Sequence, residues 1–168
     1  MNDRVNIEQS QPRAYKAMYA LEGYLATTQL AHTQKDLIKL RASQINRCAF
    51  CIDMHTKEAI NHGETLQRIV LLDAWRETNL FTDEEKALLA ITEEVTLIVV
   101  HGLSDDTYQQ AQAFFDNDHI AQIIMAVVTI NAWNRIAVST NMGFGITGTN
   151  VPKLEQPHET KNAETHAG

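Results

Sequence analysis

Cys48 and Cys51 are the only two cysteines in the chain, and His55 follows four residues after the second. If a helix starts near Cys48, these residues stand at i, i+3 and i+7 and share one helical face. Both sulfurs then lie at a helix N-terminus, where the dipole and unpaired N–H groups favour thiolate. His55, one turn beyond Cys51, can take or hold the thiol proton. Two thiols three residues apart can also close into a disulfide. The chemistry this spacing suits is a dithiol redox centre with its own base. Two other readings stay open. CxxC can be half of a zinc site, with His55 and a distant group as further ligands, or a pair of inert buried thiols.

The elements that must hold these residues read as helices. No proline lies between Pro12 and Pro152, and between Pro12 and Met142 the only glycines are Gly23, Gly63 and Gly102. That distribution suits helices separated by turns. Ile120, Ile123, Ile124, Val127, Ile130 and Trp133 follow the i, i+3, i+4, i+7 rule and predict a long helix from about Asp118 to Asn141. Thr82-Asp83-Glu84-Glu85 is a capping-box pattern that opens a helix of about twenty residues ending near His101-Gly102. Ser104 starts another, to about Phe115. Pro12 sits at a first-turn position for a helix to about Leu30. Gln34–Ile45, Ala49–Asn61 and Leu66–Glu77 complete the set. No strand alternation repeats. The expectation is an all-α, single-domain bundle of six to seven helices over residues 1–152, with a polar tail at 153–168.

Composition narrows the class. The 168 residues are 44% hydrophobic and 21% charged, as in globular domains. A net charge of −7 argues against non-specific nucleic-acid binding. The N-terminus lacks a signal-like apolar core, and the apolar runs around Ile120–Ile130 are too interrupted to suggest a bilayer span. A cytoplasmic location is the default expectation, where CxxC points to catalysis or metal binding more than to a structural bridge.

The stretch "DLIKLRASQINRCAFCIDMHTKEA" resembles the core motif of AhpD-like alkylhydroperoxidases, within the carboxymuconolactone decarboxylase family. "TDEEKALLAITEEVT" and "INAWNRIAVSTNMG" are similar to later segments of the same family, so the resemblance covers roughly residues 14–142. It implies an all-α fold assembling as homo-trimers or hexamers, and peroxide reduction at the dithiol. Under it, Cys51 is the attacking thiolate, Cys48 the resolving thiol and His55 the proton-transfer group. Asp36 falls where the family has a glutamate, one methylene longer, so its relay would run through a water. The resemblance further implies a peroxide substrate and an external dithiol reductant of lipoyl or thioredoxin kind; no cofactor or metal is expected, and charge and hydropathy lead to no expected nucleic-acid or membrane partner.

Other residues have two readings each. Glu93 matches a family acid and is a relay candidate, or else a helix-surface charge. Trp133, Asn134 and Arg135 border the site or a subunit seam, or form an ordinary helix core and flank. His62 lies on the face of His55. His32, His101 and His119 read as helix-end residues, and Lys57 and Glu58 as solvated charges. The competing functions are a decarboxylase or isomerase-like member of the broader family, and a non-enzymatic redox-sensing or metal-binding module.

Overall fold

The computed structural model describes residues 4–143. Among them are eight α-helices, one 3-10 segment and no strand: α1 (Ile7–Ser10), α2 (Pro12–Ala26), α3 (His32–Ile45), α4 (Ala49–Asn61), α5 (Leu66–Leu71) running into the 3-10 segment Leu72–Glu77, α6 (Asp83–Thr96), α7 (Asp105–Ala111) and α8 (Asn117–Thr140). The all-α expectation holds. The count exceeds six to seven because Asn6 caps a one-turn helix, its side chain accepting from Gln9 N–H. The expected tail at 153–168 lies outside the described residues.

Helix α3 packs against α4, α6 and α8, and α6 also packs against α8. The apolar face of α8 supplies Ile120, Ile123, Val127 and Ile130, each at most 2% exposed. They meet Leu37, Ile38 and Leu40 of α3 and Leu88, Leu89 and Ile91 of α6 in one core cluster. Burying each such side chain contributes about 1.5–3 kcal/mol. By length and composition α8 could cross a membrane. Here it is a core helix with buried polar groups, Thr129, Asn131 and Asn134, facing its neighbours.

Helix α2 stops at Ala26, four residues short of the expected Leu30, and three further helix ends differ from the sequence reading. Helix α6 opens at the predicted capping box, Glu85 N–H donating to Thr82 Oγ1 and Thr82 N–H to Glu85 Oε2. It stops at Thr96 rather than near His101. The β-branched run Ile98-Val99-Val100 propagates a helix poorly, and Glu94 reaches back to cap the next element. Its carboxylate accepts from Ser104 N–H at 2.7 Å and Thr107 Oγ1 at 2.7 Å. Gly102, at φ +72°, completes the turn. Helix α7 ends at Ala111, four residues short of Phe115. The predicted helix Leu66–Glu77 tightens to 3-10 after Leu71 and kinks at Ala74 (φ −112°, ψ 27°). That kink turns Trp75 and Arg76 toward Glu93 on α6.

Glu93 has a structural setting. Its carboxylate accepts from Arg41 Nε at 2.7 Å, Trp75 Nε1 at 2.9 Å and Arg76 Nη1. Arg41 also reaches Asp73. The cluster joins α3, the 3-10 segment and α6.

Candidate active site

The site begins where α3 ends. Arg47 adopts a left-handed conformation (φ 54°). Arg47 N–H donates to Gln44 O and Cys48 N–H to Ser43 O, both at 3.0 Å. This is a Schellman stop without its usual glycine. A non-glycine residue in this region is disfavoured by about 1–2 kcal/mol, and α8 supplies the restraint. Asn46 Nδ2 lies 2.9 Å from both Asn131 Oδ1 and Asn134 Oδ1 and 3.0 Å from Ala42 O. Asn134 Nδ2 donates to Ser43 Oγ at 3.1 Å and is itself 1% exposed. Asn134 therefore clamps the turn that presents the cysteines. Arg135 bonds back to Asn131 on the same helix.

Cys48 is the N-cap of α4, its sulfur accepting from Cys51 N–H at 3.3 Å. The two side chains are joined as a disulfide, with Cα atoms 5.3 Å apart. Both are buried, at 1% and 2% exposure. They differ in access: Cys51 lines a cavity of about 300 Å³ and Cys48 does not. When reduced, either sulfur sits at the positive end of a thirteen-residue helix, which favours thiolate.

The cavity wall is aromatic and apolar. Tyr15, Tyr19 and Trp133 meet edge to face, with centroids 5.2–5.6 Å apart, and Phe50, Met54 and Met142 add to the lining. The polar groups lining it are Glu22, Lys39, His55 and Glu58. Glu22 accepts from Trp133 Nε1 at 3.0 Å and pairs with Lys39 at 3.3 Å.

His55 is buried one turn beyond Cys51, and its Nδ1 lies 2.7 Å from Glu58 Oε2. That hydrogen bond holds the Glu58 carboxyl below the usual carboxylate range, against the opposing effect of burial; the charges of His55, Lys39 and His62 add to it. The reading of Glu58 as a solvated charge agrees with its 45% side-chain exposure but leaves out this contact. The i+3 spacing from His55 on one helix was the signal available for it.

The structure brings Cys48, Cys51 and His55 together and places Asp36 elsewhere. Asp36 is buried, and its Oδ2 lies 2.7 Å from His62 Nδ1. His62 is the C-cap of α4. His32, at the start of α3, packs on the His62 ring at 4.7 Å. Asp36 thus ties the two helices together at the end away from the cysteines and does not line the cavity. His119 contacts Gln34 and His101 its neighbour's carbonyl, while Lys57 pairs with Asp53 at the surface. Among the described residues no three His, Cys, Asp or Glu side chains gather as a metal site.

The model of the carboxymuconolactone decarboxylase family matches residues 12–94. The uncharacterized protein YdfG of Bacillus subtilis (strain 168) is 39% identical over 139 residues, covering 83% of this chain and 95% of that protein. The protein ATU0492 of Agrobacterium tumefaciens, of unknown function and described as a "Putative Antioxidant Defence Protein AhpD", superposes with a TM-score of 0.84 at 42% identity, over 86% of this chain and 99% of its own. The chain belongs to the AhpD-like carboxymuconolactone decarboxylase family. An uncharacterized peroxidase-related protein with an AhpD core, from Ralstonia eutropha JMP134, shares the fold at 14% identity (TM-score 0.73, 83% of this chain and 74% of that one). Membership agrees with the all-α architecture and with a redox-capable cysteine pair. Within the family frame, the aromatic cavity, the Glu22–Lys39 pair and the His55–Glu58 pair are what this chain builds around its cysteines. Glu22 and Tyr15 come from α2 and Lys39 from α3, and no local spacing announced them as partners of the site.

Proposed function

We propose that the protein is a CxxC-dependent peroxidase that reduces alkyl or hydrogen peroxides. The observation that supports it most is the placement of Cys51. It lies at a helix N-terminus, in the lining of a largely apolar cavity, bonded to Cys48 and one turn from His55. His55 takes the Cys51 proton. The thiolate attacks the O–O bond; the sulfur becomes a sulfenic acid and the other oxygen leaves, after protonation from His55, as an alcohol from an alkyl peroxide or as water from hydrogen peroxide. Cys48 then condenses with the sulfenic acid, releasing water and forming the disulfide. An external dithiol, of lipoyl or thioredoxin kind, is oxidised in turn and restores both thiols. A reducing compartment such as the cytoplasm suits a cycle that must reopen its disulfide. Decarboxylation, the alternative in the broader family, would need an acid/base pair over the substrate and gains nothing from a cysteine pair.

The deciding measurement is peroxide consumption by the reduced protein with excess dihydrolipoamide. Wild type is expected to turn over repeatedly and Cys51→Ser to fall to the uncatalysed rate. Equal rates in the two would reject the peroxidase.

We also propose a homo-oligomer, a trimer or hexamer. Leu97, Ile98, Val99 and Val100 form a continuous apolar turn, Val99 being 91% exposed, and Val128 emerges from the outer face of α8. Apolar surface of this kind marks contact sites. Sedimentation at micromolar concentration should give a multiple of 18.9 kDa. A monomer would reject assembly through these residues.

A further inference from the structure

We infer that Glu58 is the positioning carboxylate of the thiol base, where the family resemblance implies a relay acid at Asp36. This rests on the reading of Cys51 as the reactive thiol and deepens it.

The argument begins with the imidazole. His55 is 4% exposed and has two ring nitrogens. Glu58 engages Nδ1 at 2.7 Å from the next turn of α4. A carboxylate on Nδ1 keeps the proton there and leaves Nε2 as the basic nitrogen, the tautomer required to receive the Cys51 proton. It also stabilises the imidazolium formed by that transfer. The step is a single proton transfer: the Cys51 S–H bond breaks, the proton joins Nε2, and Nδ1–H stays hydrogen-bonded to Glu58. Glu58 is 45% exposed at its side chain and lines the cavity. It therefore links a buried base to solvent.

Its surroundings keep it available. On α4, His55 and His62 face it; from α3, Lys39 adds a positive charge. Lys39 is itself paired with Glu22 of α2. Helix α8 contributes Trp133 and Ala137 to the cavity and no charge. Asp36, by contrast, is held by His62.

The test uses the full-length protein in a Cys48→Ser background, so that Cys51 is the sole thiol. Iodoacetamide alkylation is followed from mildly acidic to alkaline pH. Glu58→Gln should move the profile to higher pH and slow alkylation near neutrality about tenfold, the effect of roughly one unit of thiol pKa. Glu58→Asp should recover part of the rate. Denaturation midpoints close to the parent's would show that folding is not what changed. A Glu58→Gln profile superimposable on the parent's overturns the inference, as does a larger shift in Asp36→Asn than in Glu58→Gln. Alkylation needs no peroxide, so a positive result here with no peroxide turnover in the wild type would reject the peroxidase while leaving the role of Glu58 standing.

Discussion

Reduced Cys48→Ser protein is expected to consume a single equivalent of peroxide without added reductant, then stop and hold a dimedone-reactive sulfenic acid on Cys51. Cys51→Ser should show neither the burst nor the adduct. The asymmetry follows from access. Both cysteines are nearly fully buried, but only Cys51 lines the cavity through which a hydroperoxide can arrive. Cys48 caps the helix, its sulfur receiving the Cys51 N–H. The base stands one turn from Cys51. Electrostatics alone would not separate the two sulfurs, since both lie at the N-terminus of α4. Cavity access and the position of His55 favour Cys51, and the expectation rests on them. With its partner removed, the sulfenic acid has no thiol to condense with, because the chain has no third cysteine. Mass spectrometry after stoichiometric peroxide reads both outcomes. An adduct on Cys48 in the Cys51→Ser protein, with none on Cys51 in the other, would reverse the two roles.

Local rules carried the reading of α4 and α8 well. The expected bounds Ala49–Asn61 are those of α4, and α8 runs from Asn117 to Thr140 against an expected 118–141. Both are signalled within their own segments, by the cysteine motif and by an uninterrupted 3.6-residue apolar period. The misplaced ends are those decided by partners. Glu94 is spent capping α7, so α6 cannot be judged from its own apolar content. The kink at Ala74 occurs beside the contacts of Trp75 and Arg76 with Glu93. The resemblance implies a relay role for Asp36, but which group faces it depends on how α3 lies against α4. The C-cap histidine of α4 meets it first. The stop at Arg47 has no glycine to announce it, and the asparagines that hold it are more than eighty residues away on α8. The chemistry-bearing face of α4 was legible because it is one helix long. The cavity was not, because four helices build it.

Glu93→Ala should destabilise the protein by about 3–5 kcal/mol, the usual cost of removing one partner from a buried ionic network. For a chain of this size that lowers Tm by on the order of 10 °C. Glu93 is 9% exposed, and its two oxygens satisfy Arg41, Trp75 and Arg76 from two different elements. Truncation leaves an indole N–H without its acceptor, and Arg41, 11% exposed at its side chain, keeps only Asp73 as a charged partner. The pH dependence gives a second check. Burial alone would raise the Glu93 carboxyl, but the hydrogen bonds from Arg76, Trp75 and Arg41 outweigh it and hold the group below its ordinary 4.5. A carboxyl whose folded pKa lies below its unfolded value contributes stability that is complete above the unfolded pKa. That contribution is lost as pH falls from 4.5 through the folded value. The gap between wild type and Glu93→Ala, measured by urea denaturation, should therefore be widest near neutral pH and narrow in acid. A gap below about 1 kcal/mol at neutral pH would place this cluster among ordinary surface ion pairs. A gap that widened in acid would mean that Glu93 is bound more tightly as the neutral acid, contrary to the three donors that converge on it.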